Sequence, residues 1–131
     1  MSKRPASTTI HLRGEDSGGH LALIEHTVTA GSAGPPLHVH PLHAEGFYVL
    51  KGEPTFQVRD QLKTGPAGTF VFAPAGTPHT FANLGQQDAR LLITCTPAGF
   101  EPYFDRLARG EAAEPPPSQA IAVGPPIRAQ T

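Results

Sequence analysis

Gly34-Pro35-Pro36-Leu37-His38-Val39-His40-Pro41-Leu42-His43-Ala44-Glu45-Gly46-Phe47-Tyr48-Val49-Leu50-Lys51-Gly52 is the stretch on which the reading of this chain turns. Of the seven histidines, His38, His40 and His43 fall within six residues of one another, and Glu45 follows. Side chains alternate along an extended strand, so His38 and His40 face one way and Val39 the other. Two imidazoles on one face can share an ion, but a metal site needs ligands from elsewhere as well. His79, in Pro74-Ala75-Gly76-Thr77-Pro78-His79-Thr80-Phe81-Ala82-Asn83, offers one on a separate strand. Three imidazoles and a carboxylate form a mixed nitrogen and oxygen set that suits Fe, Mn, Co, Ni, Cu or Zn better than Ca or Mg. Cys95, the single cysteine, is remote from this cluster in sequence, so thiolate ligation is not indicated.

Around this stretch, strand signals come in short pieces separated by Gly, Pro, Asn and Asp. The pieces are His20 to Thr29, Leu37 to His40, Gly46 to Leu50, Thr55 to Arg59, Thr69 to Ala73, Pro78 to Asn83 and Ala89 to Thr96. Such spacing is that of an all-β sandwich or barrel, and the lack of strand-helix alternation argues against a parallel α/β sheet. Gly46 to Leu50 and Thr55 to Arg59 flank the turn-like Lys51-Gly52-Glu53-Pro54 and are expected to pair as an antiparallel hairpin. Phe47, Phe56, Phe70, Phe72 and Phe81 are expected in the core. One helix is predicted from Phe100 to Arg109, where Phe100, Tyr103, Phe104 and Leu107 form an apolar stripe, Pro102 sits in the first turn and Gly110 stops it.

The chain has 131 residues, 38% of them apolar, enough for one core and too few for two. The expected organisation is an N-terminal arm over residues 1–19, a barrel with its C-terminal helix over 20–110, and a Pro-rich tail over 111–131, where five of twenty-one residues are Pro. Ten Lys and Arg against eleven Asp and Glu leave a formal charge of -1, with no basic field for nucleic acid and no cationic stripe for a membrane. The expected partner is a small molecule. A lone cysteine and an opening segment with no apolar run behind its charges predict a cytoplasmic protein.

Residues 34–52 resemble the first cupin motif, His-x-His, three or four residues, Glu, six residues, Gly, ending here at Gly52. Gly68-Thr69-Phe70-Val71-Phe72-Ala73-Pro74-Ala75-Gly76-Thr77-Pro78-His79-Thr80-Phe81-Ala82-Asn83 is similar to the second motif at every specified position. The one departure is Ser32, where the family often has Gly. The flanking strands and the closing Gly99-Phe100-Glu101-Pro102-Tyr103-Phe104-Asp105 also resemble small single-domain cupins, including those grouped with quercetin dioxygenase. The resemblance implies an all-β, single jelly-roll barrel with a short C-terminal helix. It also implies His38, His40, Glu45 and His79 as metal ligands inside the barrel.

What this implies for function is a metal-dependent oxidoreductase of the dioxygenase kind, acting on a small enolic or phenolic substrate. Fe(II) is the first expectation for the ion, with Mn, Ni, Co, Cu or Zn as alternatives. Glu45 doubles as the catalytic residue if it accepts a proton beside the ion. A metal-dependent isomerase, lyase or cyclase stays open, as does a barrel that only binds a small ligand. His43 is expected at the rim, while His11, His20 and His26 read as structural or surface residues, with two further roles open to His26, lining the mouth or donating a hydrogen bond to a ligand side chain. Tyr48 and Leu50, out of phase with the ligands, are apolar enough to need cover, which predicts a homodimer.

Overall fold

A computed structural model describes residues 7–111 and 119–127. Its strands are β1 (Thr8–Leu12), β2 (Ala22–Val28), β3 (Leu37–Val39), β4 (Ala44–Lys51), β5 (Thr55–Val58), β6 (Gln61–Thr64), β7 (Phe70–Ala73), β8 (His79–Ala82), β9 (Ala89–Thr96) and β10 (Ile121–Gly124), with one helix, α1 (Glu101–Ala108), before the last. They form two five-stranded sheets in the orders β1-β2-β9-β4-β7 and β10-β3-β8-β5-β6. Every pairing is antiparallel, and the two sheets close into the expected jelly roll.

Alternation sets the core. On β9, Ala89, Leu91, Ile93 and Cys95 are buried while the residues between them are partly exposed, and β2 repeats this with Ala22, Ile24 and Val28. Phe47 and Val49 on β4 and Phe56 on β5 fill the space between the sheets, with the Phe47 and Phe56 rings 5.6 Å apart.

Two expectations fail here. Phe70 and Phe72 are not core residues, since β7 turns Val71 and Ala73 inward and leaves the two rings 53% and 52% exposed. Their parity decides it, because Val71 is the residue opposite the buried Phe47. The expected hairpin between β4 and β5 does not form either. β4 lies between β9 and β7, whereas β5 pairs with β8 and β6, so residues 51–54 are a corner that carries the chain from one sheet to the other. Gly52 explains why this corner is tight: it has φ of +80°, and a Cβ there would meet Ala89 Cα at 2.8 Å. The hairpin the chain does make joins β5 to β6, a strand absent from the sequence expectation, through Arg59 at φ +56°.

Both ends of the described chain enter the sheets. Residues 8–12, within the expected arm, form β1 on the edge of the first sheet, and residues 121–124, within the expected tail, form β10 beside β3. Within those two segments, residues 1–6, 112–118 and 128–131 lie outside the described residues. No helix among the described residues is long and apolar enough to cross a membrane.

The helix lies where expected and packs Phe100 and Phe104 against the core. Glu101 ties its first turn to the barrel, because the carboxylate accepts N–H bonds from Gly14 (2.9 Å) and Gly99 (2.6 Å). Burial alone would push this carboxyl's pKa up, but the backbone donors outweigh it and hold the group below its ordinary value. A carboxylate of that kind adds stability above the ordinary carboxylate range and loses the contribution as pH falls through it. Glu101→Gln is therefore expected to be about 1–2 kcal/mol less stable than the parent at neutral pH. Urea unfolding should show the gap closing below about pH 4.

Candidate metal centre

The site assembles from both sheets. His38 on β3 lies directly opposite His79 on β8, their rings 4.6 Å apart, and His40 follows one residue beyond β3 with its ring 4.8 Å from His38 and 5.1 Å from His79. Glu45 reaches them from β4 in the facing sheet. One ligand atom from each of His38, His40, Glu45 and His79 lies within 4.8 Å of all the others. The two motifs are tied together by their backbones as well, since Gly76 donates its N–H to the His40 carbonyl at 2.9 Å.

Each imidazole is oriented by a backbone carbonyl. Nδ1 of His38 donates to Pro36 O (2.7 Å), Nδ1 of His40 to Gln119 O (2.9 Å) and Nδ1 of His79 to Thr77 O (2.8 Å). A carbonyl oxygen only accepts, so all three rings carry their proton on Nδ1 and turn Nε2 toward the centre. There His79 Nε2 stands 3.0 Å from Glu45 Oε1, and His40 Nε2 contacts the same oxygen.

The electrostatics follow from that crowding. Burial would raise the Glu45 pKa, yet its contacts with His40 and His79 prevail and hold the carboxyl far below the usual carboxylate range. Burial likewise opposes a proton on His40, but Glu45 outweighs it and raises that pKa. At His38 burial wins: the Pro36 hydrogen bond and Glu45 offset it only in part, and burial together with the neighbouring imidazoles lowers the pKa to about 4. Three Nε2 atoms and a carboxylate oxygen thus converge with too few protons to satisfy one another. Electron-pair donors of this kind fit a divalent transition cation, with an imidazole-rich set and one oxygen ligand.

The remaining histidines do not join this centre. His43 is buried instead of lying at the rim: its Nδ1 donates to Pro97 O at 2.8 Å, and its ring lies 6.5 Å from His40. His11 pairs with Glu25 at 2.9 Å on the outer face, and His20 is exposed. His26 lines a cavity of about 670 Å³ that also reaches His38, His40 and Glu45. Phe81, Phe100, Tyr103, Phe104 and Leu107 supply its apolar wall. The sequence reading recognised the apolar stripe of the helix but gave it no part in lining a cavity; a Tyr among its Phe residues, an apolar ring with a polar tip, is the one signal it offered.

A cupin-domain family model matches residues 24–95, more than half of the chain. The chain belongs to the cupin family. Among curated proteins, this cupin is 33% identical over 70 residues to quercetin 2,3-dioxygenase of Bacillus subtilis (strain 168), covering 53% of this chain and 20% of the relative. The chain thus spans about one fifth of the length of that relative. Among solved structures, a predicted oxalate decarboxylase from Thermotoga maritima superposes with a TM-score of 0.64 at 24% identity, over 68% of this chain and 77% of the other. KdgF from Halomonas sp. gives 0.63 at 19%, over 72% and 80%. The DMSP lyase DddQ from Ruegeria pomeroyi gives 0.54 at 26%, over 60% and 39%. The fold is that of these barrels.

If the four donors hold an ion, adding Zn²⁺ at a hundredfold excess over its dissociation constant should raise stability by about 2.7 kcal/mol. Thermal unfolding with and without the metal measures this, and His79→Ala is expected to abolish the upward shift.

Proposed function

We propose that this cupin is a metal-dependent oxidoreductase of the dioxygenase kind that acts on a small enolic or phenolic substrate, with His38, His40, Glu45 and His79 as its metal ligands. The observation that carries the reading is the convergence of these four donors at the end of an apolar cavity of about 670 Å³, a volume of the size small-molecule sites have. The similarity to quercetin 2,3-dioxygenase over 70 residues supports the same class. Bound there, Fe(II) or a similar ion would polarise an enolate or phenolate oxygen and supply the redox chemistry.

The protein's own part is positioning and proton handling. Pro36, Gln119 and Thr77 carbonyls fix the three imidazoles before any substrate arrives. Phe81, Phe100 and Tyr103 exclude water around the reacting oxygen and offer ring faces to a planar molecule. Glu45 is the carboxylate facing this space, and its Oε1 takes the proton of the substrate hydroxyl as the contacts with His40 and His79 loosen.

Oxygen dependence separates this from the second reading, a Lewis-acid lyase, isomerase or cyclase, which the likeness at 26% identity to a DMSP lyase supports. Protein reconstituted anaerobically with Fe(II) is expected to consume oxygen when given a member of a panel of flavonols, diketones and catechols, and Glu45→Gln should slow this about 10²–10⁴-fold. Turnover without oxygen uptake would favour the second reading, and binding without turnover would leave a ligand-binding barrel.

We also propose that a second copy covers the outer face of β4 and β7. Tyr48, Leu50, Phe70 and Phe72 are all exposed there, and β7 is a sheet edge with unpaired backbone groups, so the apolar face continues onto a free edge. Light scattering is expected to give a dimer that Phe72→Lys converts to a monomer; a monomeric parent would refute this arrangement.

A further inference from the structure

His26 occupies an odd place for an imidazole. The inward row of β2 runs Ala22, Ile24, His26, Val28; the three apolar members are buried in the core, while His26 opens into the cavity. A polar ring in such a row costs desolvation unless something hydrogen-bonds it. Thr8, its register partner on β1, engages Nδ1 through Oγ1 at 2.8 Å. Phe81 and Phe104 hold the ring edge-on, each at 6.2 Å. Nε2 is left as the ring nitrogen available to a molecule in the cavity. Burial, helped by the charge of Arg90 and offset only in part by the Ser7 backbone, lowers the proton affinity of the ring.

The cavity is continuous from this ring to His38, His40 and Glu45, and the rings of Phe104 and Phe100 link His26 to His40, with centroid steps of 5.7 Å and 4.7 Å beyond the first. A ligand that touches both ends lies along these rings. Its charge is restricted too, because the wall, among the described residues, carries neither Lys nor Arg. Phosphorylated or polycarboxylate ligands have no cation to meet there, other than an ion held by the four donors.

We infer that His26 is a second recognition point, exchanging through Nε2 a hydrogen bond with a hydroxyl at the far end of an elongated, largely apolar, ring-containing substrate whose chelating oxygens meet the four donors. The inference rests on the small-substrate reading above and narrows it: the substrate is uncharged or singly charged and carries one polar group remote from the reacting oxygens. His26 acts in specificity, as a group that discriminates a hydroxylated molecule from its parent.

The test compares 3-hydroxyflavone with 3,4′-dihydroxyflavone, which differ only by a hydroxyl remote from the chelating pair. Both are titrated into zinc-loaded protein, where no oxidation intervenes, and into metal-free protein, where the cavity alone binds. The hydroxylated probe is expected to bind about tenfold more tightly, the worth of one buried hydrogen bond. His26→Phe should bring the two probes within about twofold while leaving 3-hydroxyflavone binding in place, and His26→Gln, which keeps an acceptor, should retain part of the preference. In the parent protein, the ¹⁵N resonance of His26 Nε2 should shift with the dihydroxy probe and not with the other, a readout independent of whether the variants fold. Binding of both probes without preference, or a preference that survives in His26→Phe, would overturn the role of His26. No binding of either probe in either form would overturn the substrate class. Failure to load zinc with the preference intact would count against the metal reading alone and support His26.

Discussion

A buried carboxylate surrounded by lone pairs is the constraint that organises this molecule. Glu45 is only 4% exposed, and three imidazoles turn Nε2 toward it because carbonyl oxygens have claimed Nδ1 of each ring. An ionised group in that position costs several kcal/mol of lost hydration unless positive charge is close by. Within the protein alone the compensation comes from protonating His40, which is why its pKa rises while that of His38 falls. A divalent cation compensates better, since it satisfies all four donors at once and asks no imidazole to carry a proton. The ring orientations of the centre, and not merely its composition, thus suit an ion.

The jelly roll makes the arrangement possible because its two sheets face each other across about 10 Å, the distance over which a Glu on one can meet a His on the other. The rows that carry the ligands go on to build the core: Glu45 is followed in phase by Phe47 and Val49, and His79 by Phe81. Packing of Phe47 against Phe56, Phe81 and His79 therefore fixes the ligand rows as firmly as it fixes the barrel. Rigid strands beneath a site hold its geometry more closely than loops do.

Residues with distinctive chemistry at fixed spacing were legible in the sequence, and residues that act through their backbone were not. His38, His40, Glu45 and His79 could be nominated because imidazoles and carboxylates are the donors and because strand period two puts the first pair on one face. Gly52 was legible as a turn, but the turn joins two sheets, and local signals cannot distinguish a hairpin from a corner. Phe70 and Phe72 misled for a similar reason: hydrophobicity says that a ring needs cover, whereas which side of the sheet it occupies depends on the register with Phe47. The carbonyls of Pro36, Thr77 and Gln119 had no signal at all, since every residue has one. Gln119 is the extreme case, lying 79 residues from the His40 it orients.

That last contact changes how the C-terminal segment should be understood. β10 is a four-residue edge strand with exposed Ile121 and Val123, and a Pro-rich composition precedes it, features that taken singly describe a dispensable tail. Yet Gln119 holds the His40 tautomer, Ala120 and Ala122 wall the cavity, and Ile127 is buried. Local opening free energies are lowest where few apolar contacts hold a segment, and here such a segment closes the site. If β10 parts from β3, His40 loses the acceptor that keeps Nε2 facing inward, and the cavity loses part of its wall in the same event. On the proposed reading, ion affinity and substrate access would be coupled through this one short strand. The coupling needs no contact between the strand's side chains and the ion, because it acts through a backbone oxygen.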